Sequence, residues 1–296
     1  MSTDTLKTSV AIRAVGGRGR RERPRLRWGS PGVYLLAVVL IAICITPVLY
    51  VIIGGFRSNS QITIDPSGWP APWELDNYGT VLSSSEFWTA MLNSTISALG
   101  TTLGAVVLGV MASYVIARYD FGGKGLMYSL FAAGLMFPIT VAITPLYLLI
   151  RNLGLVNSLA GIILPQIAFA LPVTIIILVP FLKAIPDELE EAAAIDGASR
   201  LGFFWRMVIP LSLPGVITVG ILAFVGAWNG YMLPLFILND QNLFTLPLGV
   251  QNFASQYSVD TAKVLAYTSL SMLPALVFFS LFERRIVGGL TGAVKG

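Results

Sequence analysis

Seven long stretches of this chain carry no Asp, Glu, Lys or Arg. They lie between Arg27 and Arg57, Glu86 and Arg118, Lys124 and Arg151, Arg151 and Lys183, Arg206 and Asp240, Asp240 and Asp260, and Lys263 and Glu283. A charge at the centre of a membrane helix costs roughly 2.5 to 3.5 kcal/mol, so such stretches mark where a chain can cross a bilayer. Six are dense in Leu, Ile, Val, Phe and Ala and reach the roughly 17 to 25 residues that a spanning helix needs. The spans predicted from them are residues 33–53, 88–116, 126–150, 159–182, 212–238 and 264–282. The seventh, 241–259, holds Gln241, Asn242, Gln251, Asn252, Ser255, Gln256 and Ser258. Lipid would leave those groups unpaired, so the stretch reads as an extramembrane loop. The expected fold is an all-α membrane protein with six transmembrane helices. Composition agrees, with 11% charged residues where a soluble domain carries roughly 25%.

Basic residues set the orientation. With the N-terminus inside, 16 of the 19 Lys and Arg face the cytoplasm, and only Arg57, Arg151 and Lys263 lie outside. The positive-inside rule then places both termini in the cytoplasm of a multi-pass protein of the cytoplasmic (inner) membrane. Along the chain this gives a disordered Arg-rich tail at 1–30, a first anchor helix at 31–56 and an extracytoplasmic loop at 57–87. A membrane core follows at 88–283, with a cytoplasmic loop at 183–210, and a cytoplasmic tail closes the chain at 284–296. The basic tail is read as a membrane-side anchor with affinity for anionic lipid rather than as a nucleic-acid arm, so no nucleic acid is expected as a partner.

Several chemistries are absent. Without histidine there is no imidazole-based triad, proton shuttle or metal site, and the single Cys44 builds neither a disulfide nor a thiolate site. No predicted span contains an ionisable group, which disfavours proton-coupled carriage and intramembrane catalysis. Gly122, Gly123 and Lys124 look like a phosphate-loop fragment, but Gly125 stands where Ser or Thr is required. If ATP is used, another subunit binds it, and no cofactor is expected in this chain. Prolines inside the spans, Pro138, Pro145, Pro165, Pro172, Pro214 and Pro234 among them, favour kinks, and Gly100 with Gly104 makes a small face suited to close helix packing.

The long loop near residue 190 gathers eight charges: Lys183, Asp187, Glu188, Glu190, Glu191, Asp196, Arg200 and Arg206. Pro186 and the acids after it suit a helix N-terminus, and Gly197 suits its stop, which predicts a short helix over 187–196. Leu189, Ala192 and Ala193 share a face, with Glu188 and Glu191 stacked beside it. Small residues flanked by carboxylates make a plug for another protein's groove; the plainer alternative is a solvated surface helix.

The order Glu191-Ala192-Ala193, three residues, Gly197, nine residues, Met207, one residue, Ile209 and Pro210 resembles the EAA signature of ATP-binding cassette importer permeases. Asn77-Tyr78, Asn93-Ser94, Trp228-Asn229, Thr245-Leu246-Pro247-Leu248-Gly249 and the terminal Gly289-Leu290-Thr291-Gly292-Ala293-Val294-Lys295-Gly296 narrow the resemblance to carbohydrate importers of the maltose-permease type, the shorter of two paired permeases. The resemblance implies the type I importer transmembrane architecture. It also implies partners: a homologous second permease, a dimeric cytoplasmic ATPase that holds ATP and Mg, an extracytoplasmic sugar-binding protein, and the lipid bilayer. It makes the loop helix a coupling element seated on the ATPase, with Glu190, Glu191, Ala192, Ala193, Asp196, Gly197 and Pro210 as the docking residues.

Trp228, Asn229 and Tyr231 are candidates for the sugar pathway, since an aromatic ring lies well against a sugar face and amides satisfy its hydroxyls. They equally suit packing and capping beside a kink. The function expected is import of a sugar or small oligosaccharide by a subunit that is not itself an enzyme. A polyol or glycerol phosphate is the nearest alternative substrate, and a membrane-embedded enzyme or passive channel the alternative of another class.

Overall fold

The first helix, α1 (Pro31–Gly54), is apolar on every side, with mean hydropathy reaching 3.0. The computed structural model describes residues 31–253 and 259–294, the last stretch from 281 by its backbone alone. The Arg-rich tail, Ser255, Gln256, Ser258 and the last two residues lie outside the described residues. The chain forms two units, divided within α1 after Thr46. In the first, α1 exposes every described side chain, which suits a helix whose solvent is hydrocarbon.

In the second unit the remainder of α1 leads into α2 (Asn59–Ile64) and α3 (Asp76–Ser83). Arg57, expected on the outer side of the membrane, is buried and donates to the carbonyls of Gln61, Asp65 and Pro66. Its cation thereby organises the connection. Asn77 donates to the carbonyls of Gly55 and Arg57 at 3.0 and 2.9 Å, and Tyr78 donates to Ile52 O at 2.7 Å. The Asn-Tyr pair is thus a lock on the end of α1.

Helix α4 (Ser85–Arg118) starts where the Ser84 hydroxyl accepts from Phe87 N–H. It runs beside α7 (Leu159–Lys183), and these two share the most extensive packing among the described residues. The seam is built of small residues. A Cβ on Gly104 would run into Ile167, one on Gly109 into Thr174, and one on Gly100 would sit 3.2 Å from Ile163 Cδ1. Lipid gives helices no hydrophobic incentive to associate, so close backbone approach of this kind supplies the attraction.

Between them, α5 (Lys124–Gly134) and α6 (Ile139–Asn152) occupy the span expected at 126–150, broken where the sequence places Pro138. The two meet at a bend of 104°. Pro138 causes the break: it has no N–H for a helical bond and holds its predecessor out of helical geometry. It sits in extended backbone, φ −74° and ψ 130°, at the start of α6.

After α7 come α8 (Asp187–Ile195) and α9 (Arg200–Phe203), then a π-helical turn Phe204–Val208 and α10 (Ile209–Trp228). The helical run starts at Arg200, earlier than the expected 212. Pro210 crowds the carbonyl four residues back, that of Arg206, and the widened turn around it makes room. The same span ends at Trp228 rather than 238, because Gly230 and Pro234 restart the chain as a separate α11 (Met232–Ile237).

The stretch expected as a loop outside the membrane contains three short helical turns. It forms a 3₁₀ turn Gln241–Leu243, α12 (Leu246–Gly249) and a second 3₁₀ turn Val250–Phe253. Leu246 and Leu248 are buried while Gln241 and Asn242 stay exposed. Asn93 of α4 donates to Asn242 O and Phe244 O at 2.8 and 3.1 Å, and Leu246 N–H donates to Ser94 Oγ at 2.7 Å.

The last helix, α13 (Thr261–Val294), continues past the predicted end of the sixth span. Among the described residues, five helices or helical runs are long and apolar enough to cross a membrane, α1, α4, α7, Arg200–Trp228 and the first part of α13. The bent pair α5–α6, taken as one broken span, makes a sixth.

Two outcomes test this packing. Gly104→Val should lower stability by about 1 to 3 kcal/mol through overpacking, whereas Gly122→Val, with open space around it, should not; melting in detergent compares them. Burial of the Asp260 carboxyl raises its pKa, but Asn59 and Lys263 bond to it and hold it below the ordinary 3.8. Its contribution is therefore complete above pH 3.8 and fades as the pH falls through the lowered value. The stability gap between wild type and Asp260→Asn should shrink in that acidic range and nowhere above it.

Candidate functional site: an exposed loop helix and a cavity between spans

Pro186 and Gly197 bound α8 as the sequence predicts. Pro186 is its N-cap, with Asp187, Glu188 and Glu190 in the first turn facing the positive end of the helix dipole. At the other end Gly197 takes φ +78°, and two bonds close the turn: Gly197 N–H to Ala194 O at 3.0 Å and Ala198 N–H to Ala193 O at 2.9 Å. This is a Schellman stop, which needs a left-handed residue after the cap. Ser199 then caps α9 by accepting from Gly202 N–H.

The faces of α8 divide differently from the sequence expectation. Leu189 and Ala193 turn inward, against the apolar cluster of Val110, Tyr114, Leu182 and Phe203. Glu190 also turns inward, where its carboxylate receives two bonds from Arg118 at 2.9 and 3.2 Å. Glu188, Glu191, Ala192, Ile195, Asp196 and Gly197 are exposed. Ile195 stands out at 86% exposure, a large aliphatic side chain on an otherwise small and acidic surface. Pro210 lies apart from α8 in the first turn of α10. Arg118 and Ile195 were both missed, although Ile195 sits inside the signature and Arg118 closes a charge-free stretch.

The second feature is a cavity of ≈ 260 Å³ between α4, α6, α7 and α10. Its walls are largely apolar, with Thr101, Gln166, Phe169 and Gly226 as the residues of chemical interest. Ser97 and Thr101 donate to Gln166 Oε1 at 3.2 and 2.9 Å. That pins the amide so that its NH₂, with no acceptor among the described residues, remains available to an incoming group.

The aromatic predicted for the pathway is elsewhere. Trp228 is 4% exposed, packed in the core and stacked on Phe224 at 5.6 Å and 19°. Asn229 follows it as the exposed C-cap of α10, and Tyr231 is exposed, its hydroxyl accepting from Gln251 at 3.2 Å. Gln166 is the one amide in the fourth predicted span, a neutral donor among aliphatic residues, and the absence of ionisable groups from the spans gives no sign of it.

Residues 105–286, which hold α8, its flanking spans and most of the cavity wall, match the profile of the binding-protein-dependent transport system inner membrane components. The chain belongs to that family. It is a permease subunit of an ATP-binding cassette importer, embedded in the inner membrane, whose ATPase and solute-binding protein are separate partners.

Relatives agree along most of their length. The permease is 34% identical to a diacetylchitobiose uptake system permease protein of Streptomyces coelicolor, over 87% of this chain and 86% of that one. It is 37% identical to a trehalose transport system permease protein of Mycobacterium tuberculosis, over 88% and 96%. The fold is shared with a bacterial ABC transporter that imports the acidic polysaccharide alginate, at TM-score 0.73 and 22% identity, covering 86% of this chain and 94% of that one.

The two candidate pathway positions predict different failures. Trp228→Ala should cost about 3 to 5 kcal/mol of stability as a core truncation. Gln166→Leu should cost less, about 1 to 3 kcal/mol, because Ser97 and Thr101 lose their shared acceptor, and should raise the half-saturating solute concentration roughly tenfold, the size of one lost hydrogen bond to a bound group. Thermal melting and uptake titrations on both variants check this.

Proposed function

We propose that this permease pairs with a homologous second subunit to import a sugar or small oligosaccharide, with both termini in the cytoplasm. One observation carries the coupling role: α8 starts at Pro186, is closed by the turn at Gly197, and leaves Glu188, Glu191, Ala192 and Ile195 exposed on its outer side. An aliphatic knob among small and acidic residues suits an apolar groove with a basic rim. We assign that groove to a dimeric cytoplasmic ATPase, which holds the ATP and Mg. Glu191, Ala192, Ile195 and Asp196 make the contact, and Gly197 and Pro210 set the direction of the helices beyond. Glu190, held by Arg118, serves within the chain.

The substrate class rests on two supports. The relatives in Streptomyces coelicolor and Mycobacterium tuberculosis are named for diacetylchitobiose and trehalose, both uncharged glycosides. The cavity offers a neutral amide donor, a hydroxyl and an aromatic ring and no charge, which suits a polyhydroxyl solute better than a phosphate ester. An extracytoplasmic sugar-binding protein delivers that solute.

The test uses proteoliposomes containing both permeases, the ATPase and the binding protein. Trehalose or diacetylchitobiose should accumulate only with ATP, and glycerol 3-phosphate should not. Glu191→Lys and Ile195→Asp should each weaken ATPase retention on size-exclusion chromatography by roughly tenfold or more. Preference for glycerol 3-phosphate would sink the sugar assignment, and full retention in both variants would sink the docking assignment.

A further inference from the structure

Arg118 is the last residue of α4, and its side chain is only 4% exposed. The guanidinium grips the base of the loop helix at three points. One terminal nitrogen donates to Ile185 O at 2.7 Å and pairs with Asp187 Oδ1 at 3.0 Å. The other pairs with Glu190 Oε2 at 2.9 Å, and Nε donates to the same oxygen at 3.2 Å. Ile185 belongs to the approach to α8, Asp187 is its first residue and Glu190 lies one turn on. A single planar cation therefore holds the entry and first turn of α8 in fixed register with a span that precedes it by some sixty-seven residues of sequence.

We infer that Arg118 is the positioning residue through which a displacement of α8 enters the membrane bundle, by way of α4. This rests on the reading of α8 as the element that docks on the ATPase. The covalent connections of α8 are poor conductors of force by comparison. One passes through Gly197, whose left-handed turn breaks the helix, and through Ala198 before α9 resumes. The other is the short non-helical link at Ile185 and Pro186. Arg118 bypasses both. Its charged bonds resist being stretched, and the fork fixes direction as well as distance.

What α4 then reaches explains why the route has consequences. Along its length α4 packs on α7 through Gly100, Gly104 and Gly109, and on α10. Those are the helices that, with α4 itself, form most of the cavity wall. A pull on α8 would move the hub that both walls lean on. The apolar seat of Leu189 and Ala193 against Tyr114 and Phe203 holds α8 sideways, and the ion pairs hold it lengthwise.

The experiment measures ATP hydrolysis and uptake together in the complete complex, with radiolabelled trehalose and diacetylchitobiose as probes. Arg118→Ala should keep the ATPase bound and hydrolysing while solute moved per ATP falls roughly tenfold; Arg118→Lys, which keeps charge but loses the fork, should fall less. Arg118→Glu should be uncoupled, and adding Glu190→Arg should restore much of the ratio, a rescue that a general loss of packing would not show. An unchanged ratio in Arg118→Ala overturns the inference, as does release of the ATPase to the extent seen with Glu191→Lys. If Arg118→Ala does not assemble, the reversed pair decides: an assembled, coupled complex supports the inference and an assembled, uncoupled one overturns it. Full ATPase retention in Glu191→Lys and Ile195→Asp would remove the docking reading and this inference with it. An unchanged ratio beside normal docking defects removes only the role of Arg118.

Discussion

The close approach of α4 and α7 is the interaction on which the rest of this permease depends. In water, two apolar helices are driven together by burial; in hydrocarbon that drive vanishes and only shape, dispersion and hydrogen bonds remain. Gly100, Gly104 and Gly109 supply the shape by letting Ile163, Ile167 and Thr174 occupy space that any Cβ would contest. The hydrogen bonds from Ser97 and Thr101 to Gln166 lie on the same pair of helices. Helix packing and the polar lining of the cavity therefore share one seam, and a change that widens it also moves the amide of Gln166.

Much of the architecture could be read from the chain because the bilayer penalises charge so heavily. The gaps between Glu86 and Arg118 or Arg151 and Lys183 announce α4 and α7 almost residue by residue. The limits of α8 were legible for a different reason: Pro186 and Gly197 act through backbone geometry that no tertiary contact needs to supply. Hydropathy alone leaves out two details. It marks 126–150 as one crossing, and Pro138 marks a kink there, but the 104° of the bend is a matter of backbone geometry. It marks 241–259 as a loop outside the membrane, but not the bonds by which Asn93 and Ser94 of another helix hold that segment's backbone.

Partners across sequence explain the rest. Arg118 and Glu190 were counted as charges on one side of the membrane, and a count holds no information about which carboxylate a cation will meet. Trp228 illustrates the reverse case. Its ring suits a sugar, but a residue's chemistry does not say which way its helix is turned, and here Phe224 claims the ring face. Gln166, one amide among aliphatics, is neutral, so the absence of ionisable groups from the spans gives no sign of it.

The segment around α12 has a mechanical corollary. Asn93 and Ser94 are neighbours on a single helix, and between them they hold Asn242, Phe244 and Leu246. A turn fastened at adjacent points on one helix rides with that helix. A tilt of α4 would therefore carry the α12 turn along as a rigid attachment, with no need for the turn itself to unfold.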